Sequence, residues 1–335
     1  MRCAPAPLRR RLATGPAGFA PGPGIAAGRT LLALAQLLTL LCTPDAALFA
    51  HGGYGPLAPY CGGSRALGLW CLGPADGTMT ARRAVAALAL AVIASGYRPR
   101  WTCLPHWYLT FSLTTATGLA DGGDMAARIA TLLLAVILLG DPRRWHWRRA
   151  PGALPPQWRG AGYAAHLLLR VQVVLIYLHA SSSKLLDPVW RQGTAMYYTL
   201  HSHYWGAPAA LRPWIDPVLD HGWSVRLLGW SVIVLELALA AAMLLPAPAR
   251  RAAVPGAVAL HGGIIALMGL FGFGLTMIAL VVAAAAGRRC TTDVTGRHTE
   301  HRSRAARAAA RPTLDRSSEH MRTQGETAAW TRQGS

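Results

Sequence analysis

Seven long apolar stretches separated by short segments constrain this chain more than any other feature. They run near Arg29 to Ala50, Arg83 to Tyr97, Trp101 to Ala120, Met125 to Gly140, Gly160 to Ser183, Trp223 to Leu245 and Val254 to Ala286. A hydrocarbon core of about 30 Å takes roughly 20 apolar residues per helical crossing, and a helix satisfies its own backbone groups where no water reaches. The expected fold is therefore all-α, a polytopic transmembrane helix bundle of about seven spans, with six to eight as the range. The second and fourth runs are short for a straight crossing. The last is long for one, and its Gly-rich stretch from Gly269 to Gly274 is where a kink or a break is expected.

Composition places the chain in the same class, since 53% of its 335 residues are hydrophobic and only 14% are charged, against about 25% charged in soluble domains. The formal charge of +19 comes largely from Arg in the head, the short loops and the tail. Arg beside a bilayer follows the positive-inside rule and meets anionic headgroups, so the bilayer accounts for the excess and no nucleic-acid partner is called for. Residues 1–28 hold Arg9, Arg10 and Arg11 among many Pro and Gly, without the apolar core of a signal peptide, and read as a disordered basic head. Residues 287–335 have almost no large aliphatics and read as a disordered basic tail. The domain between them, 29–286, is expected to sit in the cell membrane as a multi-pass protein.

Loop charges give an orientation. Arg98 and Arg100, then Arg143, Arg144, Arg148 and Arg149, then Arg250 and Arg251 mark cytoplasmic turns, which leaves the loops from His51 to Met79 and after Lys184 on one external side. Two features resist it. Arg82 and Arg83 stand at an external end, and seven spans put the basic tail outside; an eighth pass within the last run removes the second conflict.

Ionisable residues inside apolar runs are costly and usually face the bundle and pair. Counted from the expected span ends at 1.5 Å per residue, Arg170 lies about 15 Å from the cytoplasmic face, Glu236 and His261 about 14 Å, and His106 about 8 Å. Arg170, Glu236 and His261 are thus expected to form one buried polar layer, either an ion pair that fixes packing or a proton relay. On this count the layer lies well below Lys184, so His261 and Lys184 share a site only if the last helix is broken or the outer mouth is indented. Cys61 and Cys71 fall in one external loop, where they form a disulfide or remain two unrelated thiols. Asp121 and Asp124 form a carboxylate pair or a solvated turn. His201, His203 and His221 share a loop with no Cys or close carboxylate to complete a zinc set, so no metal site is assigned. Walker, H-E-x-x-H and G-x-S-x-G motifs are absent.

The stretch H-A-S-S-S-K-L-L-D-P-V-W-R-Q-G after the fifth run carries a family resemblance. Lys184-Leu185 followed by Trp190 and Gly193, with Arg170-Val171-Gln172 and Tyr177 upstream, is similar to the K-L…W-x-x-G stretch of HTTM-domain proteins, a module shared by vitamin K-dependent γ-glutamyl carboxylases and bacterial proteins. P-H-W-Y, with His106, and L-H-G-G-I-I-A-L-M-G-L-F-G-F-G-L-T-M, with His261, Phe273 and Met277, extend the likeness. L-L-T-L-L-C-T-P-D-A-A-L-F, A-D-G-G-D and D-P-R-R-W-H-W resemble the bacterial branch named after sporulation-delaying protein B. The carboxylase likeness implies Lys184 as the base that deprotonates a quinone cofactor, with His106 and His261 as further candidate catalytic residues. Burial of an ammonium suits such a base; the same Lys equally snorkels to headgroups, with Trp190, Tyr197 and Tyr198 as an aromatic belt. The carboxylases carry a large extramembrane domain that this sequence does not show. The sporulation-delaying branch implies instead an accessory role in maturing a small secreted antimicrobial peptide, and a third reading is a membrane scaffold or immunity-like factor without enzyme activity.

Overall fold

Where the chain is apolar it forms helices, two of which stop at a left-handed Gly, Gly96 and Gly269. A computed structural model describes residues 18–49, 59, 61–73, 78–118 and 121–286. The chain divides into Met1–Arg289 and Cys290–Ser335, and every described residue lies in the first unit. The head up to residue 17 and the tail from residue 287 lie outside the described residues.

Eight helices of 15 residues or more carry the described chain: α1 Pro23–Cys42, α2 Met79–Ser95, α3 Pro99–Ala116, α4 Gly122–Leu138, α5 Pro156–Leu186, α6 Gly222–Leu244, α7 Ala247–Met268 and α8 Phe271–Ala285. No strand occurs among the described residues, only an isolated bridge between Tyr97 and Trp145. α1 opens at Pro23 rather than at the expected Arg29, because proline at the first helical position is pre-set for the turn and needs no amide partner. By length and composition, α1, α5, α6 and α7 are the four described helices suited to cross a membrane. At 17, 17 and 15 residues, α2, α4 and α8 reach about 26 Å or less.

The last apolar run is two helices. Gly269, at φ +70°, donates its amide to Ile265 O, a left-handed stop that an L side chain rarely adopts. α8 then folds back so that Gly274 lies against Ile265 and the His261 carbonyl. It also runs antiparallel to α1, with Gly24 against Val282 and Ala286, Gly28 against Ala279 and Ala283, and Gly272 near Thr39. Residues 24 and 286 therefore lie at the same end of the α1–α8 pair, and among the described helices four have the length and apolarity of a crossing, against about seven expected.

Burial separates the helices by role. α8 is hidden almost all round, packed on α1, α4, α5 and α7, and its Ala279, Leu280, Val281 and Ala283 anchor the largest core. α5 buries Leu169, Val173, Tyr177 and Ser181 while Leu168, Val171, Leu175 and Leu178 stay exposed. α6 likewise exposes Trp223, Leu227, Trp230, Val234 and Leu237. A helix apolar on its outward face as well as its inward one is matched to hydrocarbon rather than water. These apolar helices are those of a membrane protein.

Several charges from the sequence reading have local structural partners. Arg83 bonds Asp45 and the carbonyls of Leu40 and Thr43, at the end of α1, and Arg82 donates to Trp70 O at 2.6 Å. Those contacts supply a reason for two Arg at an expected external end. Asp121 and Asp124 form a capping box at the start of α4, Asp121 Oδ1 accepting from the Asp124 amide at 2.8 Å. Cys61 and Cys71 are joined in a disulfide with Cα atoms 5.7 Å apart.

Candidate functional site

The segment between α5 and α6, a plain external loop in the sequence reading, is folded into short helices at Pro188–Arg191, Ala195–Leu200 and Arg212–Leu219. Met196, Leu200, Leu219 and Val225 form a small core there, with Trp190, Leu228, Leu267 and Met268 packed on it. One face of the first turns of α6, at Val225 and Leu228, is therefore covered by this segment, which also brings Trp190 over Lys184 near the end of α5.

Under this cover Lys184 Nζ donates to both carboxylate oxygens of Glu236, at 2.8 and 3.0 Å, and sits 5.2 Å from the centre of the Trp190 ring. The two side chains are 20% and 10% exposed, so the pair is screened far less than a surface ion pair. Ser181, one turn before Lys184 on α5, places its hydroxyl 2.8 Å from the Tyr177 carbonyl and 3.4 Å from Glu236 Oε2. A further turn back, Tyr177 Oη shares a 2.8 Å hydrogen bond with His261 Nε2. The residues Tyr177, Ser181 and Lys184 fall on one face because they are spaced at i, i+4 and i+7. His261 on α7 is buried, its ring packs edge-on to Phe273 of α8 at 5.6 Å, and its Nδ1 has no hydrogen-bond partner among the described residues. Chemically this is a row of proton-carrying groups, ammonium, carboxylate, hydroxyl, phenol and imidazole, contributed by α5, α6 and α7.

The expected Arg170–Glu236–His261 layer is not the one that forms. Glu236 is held by Lys184, whereas Arg170 donates from Nε to Ala284 O at 3.0 Å and from Nη2 to Ala286 O at 3.2 Å, and His166 Nε2 lies 3.1 Å from Ala283 O. Arg170 and His166 thus supply donors to the last carbonyls of α8, which have no partner within their own helix. The depth count erred because it let every helix enter at one plane. α5 begins at Pro156, 14 residues and about 21 Å before the level at which α8 ends. Glu236 and His261 do share one centre, with Lys184, and the break at Gly269 that the sequence reading required for that is present.

His106 belongs elsewhere. It is buried on α3 near Arg29 of α1, a fully buried guanidinium that donates from Nη2 to Thr102 Oγ1 at 2.7 Å. Nearby, Asp141 and Arg143 pair at 2.6 Å and Arg143 Nη1 also donates to the His146 and Arg148 carbonyls, which explains the D-P-R-R-W-H-W stretch as a clamp on the α2–α3 turn. Thr30 Oγ1 donates to Ala94 O, so its 3.3 Å contact with His146 Nε2 is one in which the ring donates. Burial, then Arg29 and Arg143, pull His146 down to about 3. Arg29, Ser181 and the Lys184–Glu236 pairing escaped the sequence reading. Helical spacing back from Lys184 was the one signal that could have found Ser181.

Similarity to known proteins agrees with this architecture. The chain is 29% identical over 256 residues to the uncharacterized protein YitO of Bacillus subtilis (strain 168), covering 76% of this chain and 82% of that protein. It is also 29% identical over 194 residues to the sporulation-delaying protein SdpB of the same organism, covering 58% of this chain and 60% of SdpB. The chain resembles SdpB. That similarity supports an SdpB-like family and a membrane protein of SdpB type. No family model and no solved structure matches the chain. The HTTM and carboxylase likeness therefore rests on the motifs quoted above.

Proposed function

We propose that this chain is a multi-pass cell-membrane protein that assists the maturation of a small secreted peptide, with Lys184, Glu236, Ser181, Tyr177 and His261 as its proton-handling centre. The observation that carries this reading is the Lys184–Glu236 pair at 2.8 Å, continued within 3.4 Å by Ser181 and set beside the Tyr177–His261 hydrogen bond. A pair that only fixed packing has no need of further proton-carrying groups alongside it, and ionisable residues clustered inside apolar helices mark functional sites.

A quinone-dependent base does not fit these residues as they stand. Both oxygens of Glu236 engage the Lys184 ammonium and Trp190 lies over it, so no bare amine faces a ligand. For Lys184 to accept a proton it must first pass one on, and Glu236 is the acceptor in reach. Glu236 therefore shares the chemistry with Lys184 in any base role. Mass spectrometry of secreted peptides from cells carrying the wild type, Lys184→Ala or Glu236→Gln tests the reading. Precursor-mass peptide from both variants, with the protein still in the membrane, is the expected result. Fully mature peptide from both variants overturns it in favour of a scaffold.

A further inference from the structure

One turn beyond Trp190 the chain makes a left-handed bend at Gly193, at φ +78°, and opens a cleft of about 210 Å³ on the outer part of α6. Its walls include Gln192, Thr194, Tyr197, Tyr198, Asp220 and Arg226. Tyr197 and Tyr198 stay 41% and 64% exposed, so their rings and hydroxyls are available from outside. Arg226 is an exposed guanidinium at the fifth position of α6, and it makes no ion pair or hydrogen bond among the described residues. Gly193 is what lets it lie there. A Cβ at position 193 would stand 2.3 Å from Arg226 Cγ and 3.0 Å from its Cα and Cβ, so any side chain displaces the Arg stem.

We propose that this cleft binds a carboxylate-bearing stretch of an extended peptide, with Arg226 as its anchor. A guanidinium recognises a carboxylate through paired, charge-assisted hydrogen bonds. The Gln192 amide, the Thr194 hydroxyl and the two Tyr offer donors and acceptors for neighbouring peptide groups, and aromatic walls suit a peptide surface at low entropic cost. Asp220 in the same wall repels a second anion, so the cleft selects one carboxylate flanked by neutral or cationic groups. Gly193 also donates its amide to Trp190 O at 3.0 Å, which ties the cleft wall to the ring that covers Lys184. The proposal rests on the peptide reading above and names where the peptide is held.

The test uses the full chain in phosphatidylcholine nanodiscs and a fluorescein-labelled, end-blocked peptide, Gly-Ala-Glu-Ala-Gly, beside its glutamine counterpart, read by fluorescence anisotropy. The glutamate peptide is expected to bind at least about tenfold more tightly than the glutamine one. Arg226→Gln should erase that preference, Arg226→Lys keep part of it, and Gly193→Ala weaken it about tenfold. Because Arg226 is exposed, the Gln variant should elute from a sizing column as the wild type does. Equal binding of the two peptides, or a preference that survives Arg226→Gln, overturns the proposal. So does loss of the probe's binding in phosphatidylethanolamine nanodiscs, which identifies the cleft as a headgroup site. Normal peptide maturation in Lys184→Ala cells together with intact Arg226-dependent binding discards the Lys184 reading and leaves the cleft standing.

Discussion

Lys184 and Arg170 are two cations on one helix, fourteen residues apart, and they keep different company. Arg170 donates to the main-chain carbonyls of Ala284 and Ala286 at the end of α8 and lies 3.4 Å from His166 Nδ1, while His166 Nε2 meets the Ala283 carbonyl. Lys184 meets a carboxylate, and beyond it a hydroxyl, a phenol and an imidazole, each able to give or take a proton. The first arrangement finishes the C-terminal end of α8. The second holds protons where they can be moved. Both cations are half-buried, so the type of partner, rather than depth, is what differs between the two places.

The largest expected effect tests the Lys184 side of that contrast. Glu236→Ala leaves a sheltered ammonium without its partner and should cost about 3–5 kcal/mol, read as lost thermal stability and membrane yield in detergent. The paired replacement Lys184→Met with Glu236→Leu should recover most of that stability, since an apolar pair fills the same space without desolvated charge. Peptide maturation should stay absent in the recovered double variant. Restored maturation there would reduce the pair to a packing device and erase the difference from Arg170.

Arg170→Ala comes next, at about 1–3 kcal/mol for each carbonyl of α8 left unmet. Maturation per folded molecule should be unchanged. Combined with Glu236→Ala its loss of stability should add to within about 0.5 kcal/mol, as for sites with no shared partner. A strong departure from additivity would mean that the two centres are coupled after all.

Tyr177→Phe should cost only about 1 kcal/mol, the net worth of one hydrogen bond, because the ring stays in place. Maturation should nevertheless fall well below the wild-type level per folded molecule. Unchanged maturation would confine the chemistry to Lys184, Glu236 and Ser181.

The smallest effect concerns His146 in the inner clamp, held down to about 3 by burial and by Arg29 and Arg143. An unfolded chain takes up this proton below about pH 6.5 while the folded one does not. The stability it supports is thus complete above that value and is lost progressively as pH falls from there towards 3. Melting temperatures measured from pH 7.5 to 5 should decline, and His146→Gln should flatten the decline. An identical slope in the variant would show that other groups carry the acid sensitivity.

The sequence by itself determined the helical class, because apolar runs of membrane length leave the backbone few other ways to satisfy its hydrogen bonds. It also marked the stretch from Gly269 to Gly274 for a kink or a break, and it named Arg170, Glu236 and His261 as the costly groups to explain. Helix ends were legible unevenly: α6 spans Gly222–Leu244 for an expected Trp223 to Leu245, whereas α1 spans Pro23–Cys42 for an expected Arg29 to Ala50. Which charge met which was not legible, because helix-to-helix register is set by packing across elements distant in sequence. The close seating of Gly28 on Ala279 and Ala283 fixes α8 against α1, and the end of α8 then draws Arg170 to its carbonyls. The folded segment over α6 in turn brings Trp190 over Lys184 near the end of α5, where Lys184 meets Glu236. Spacing within one helix is a local property of the chain, whereas the level at which two helices meet belongs to the tertiary structure alone.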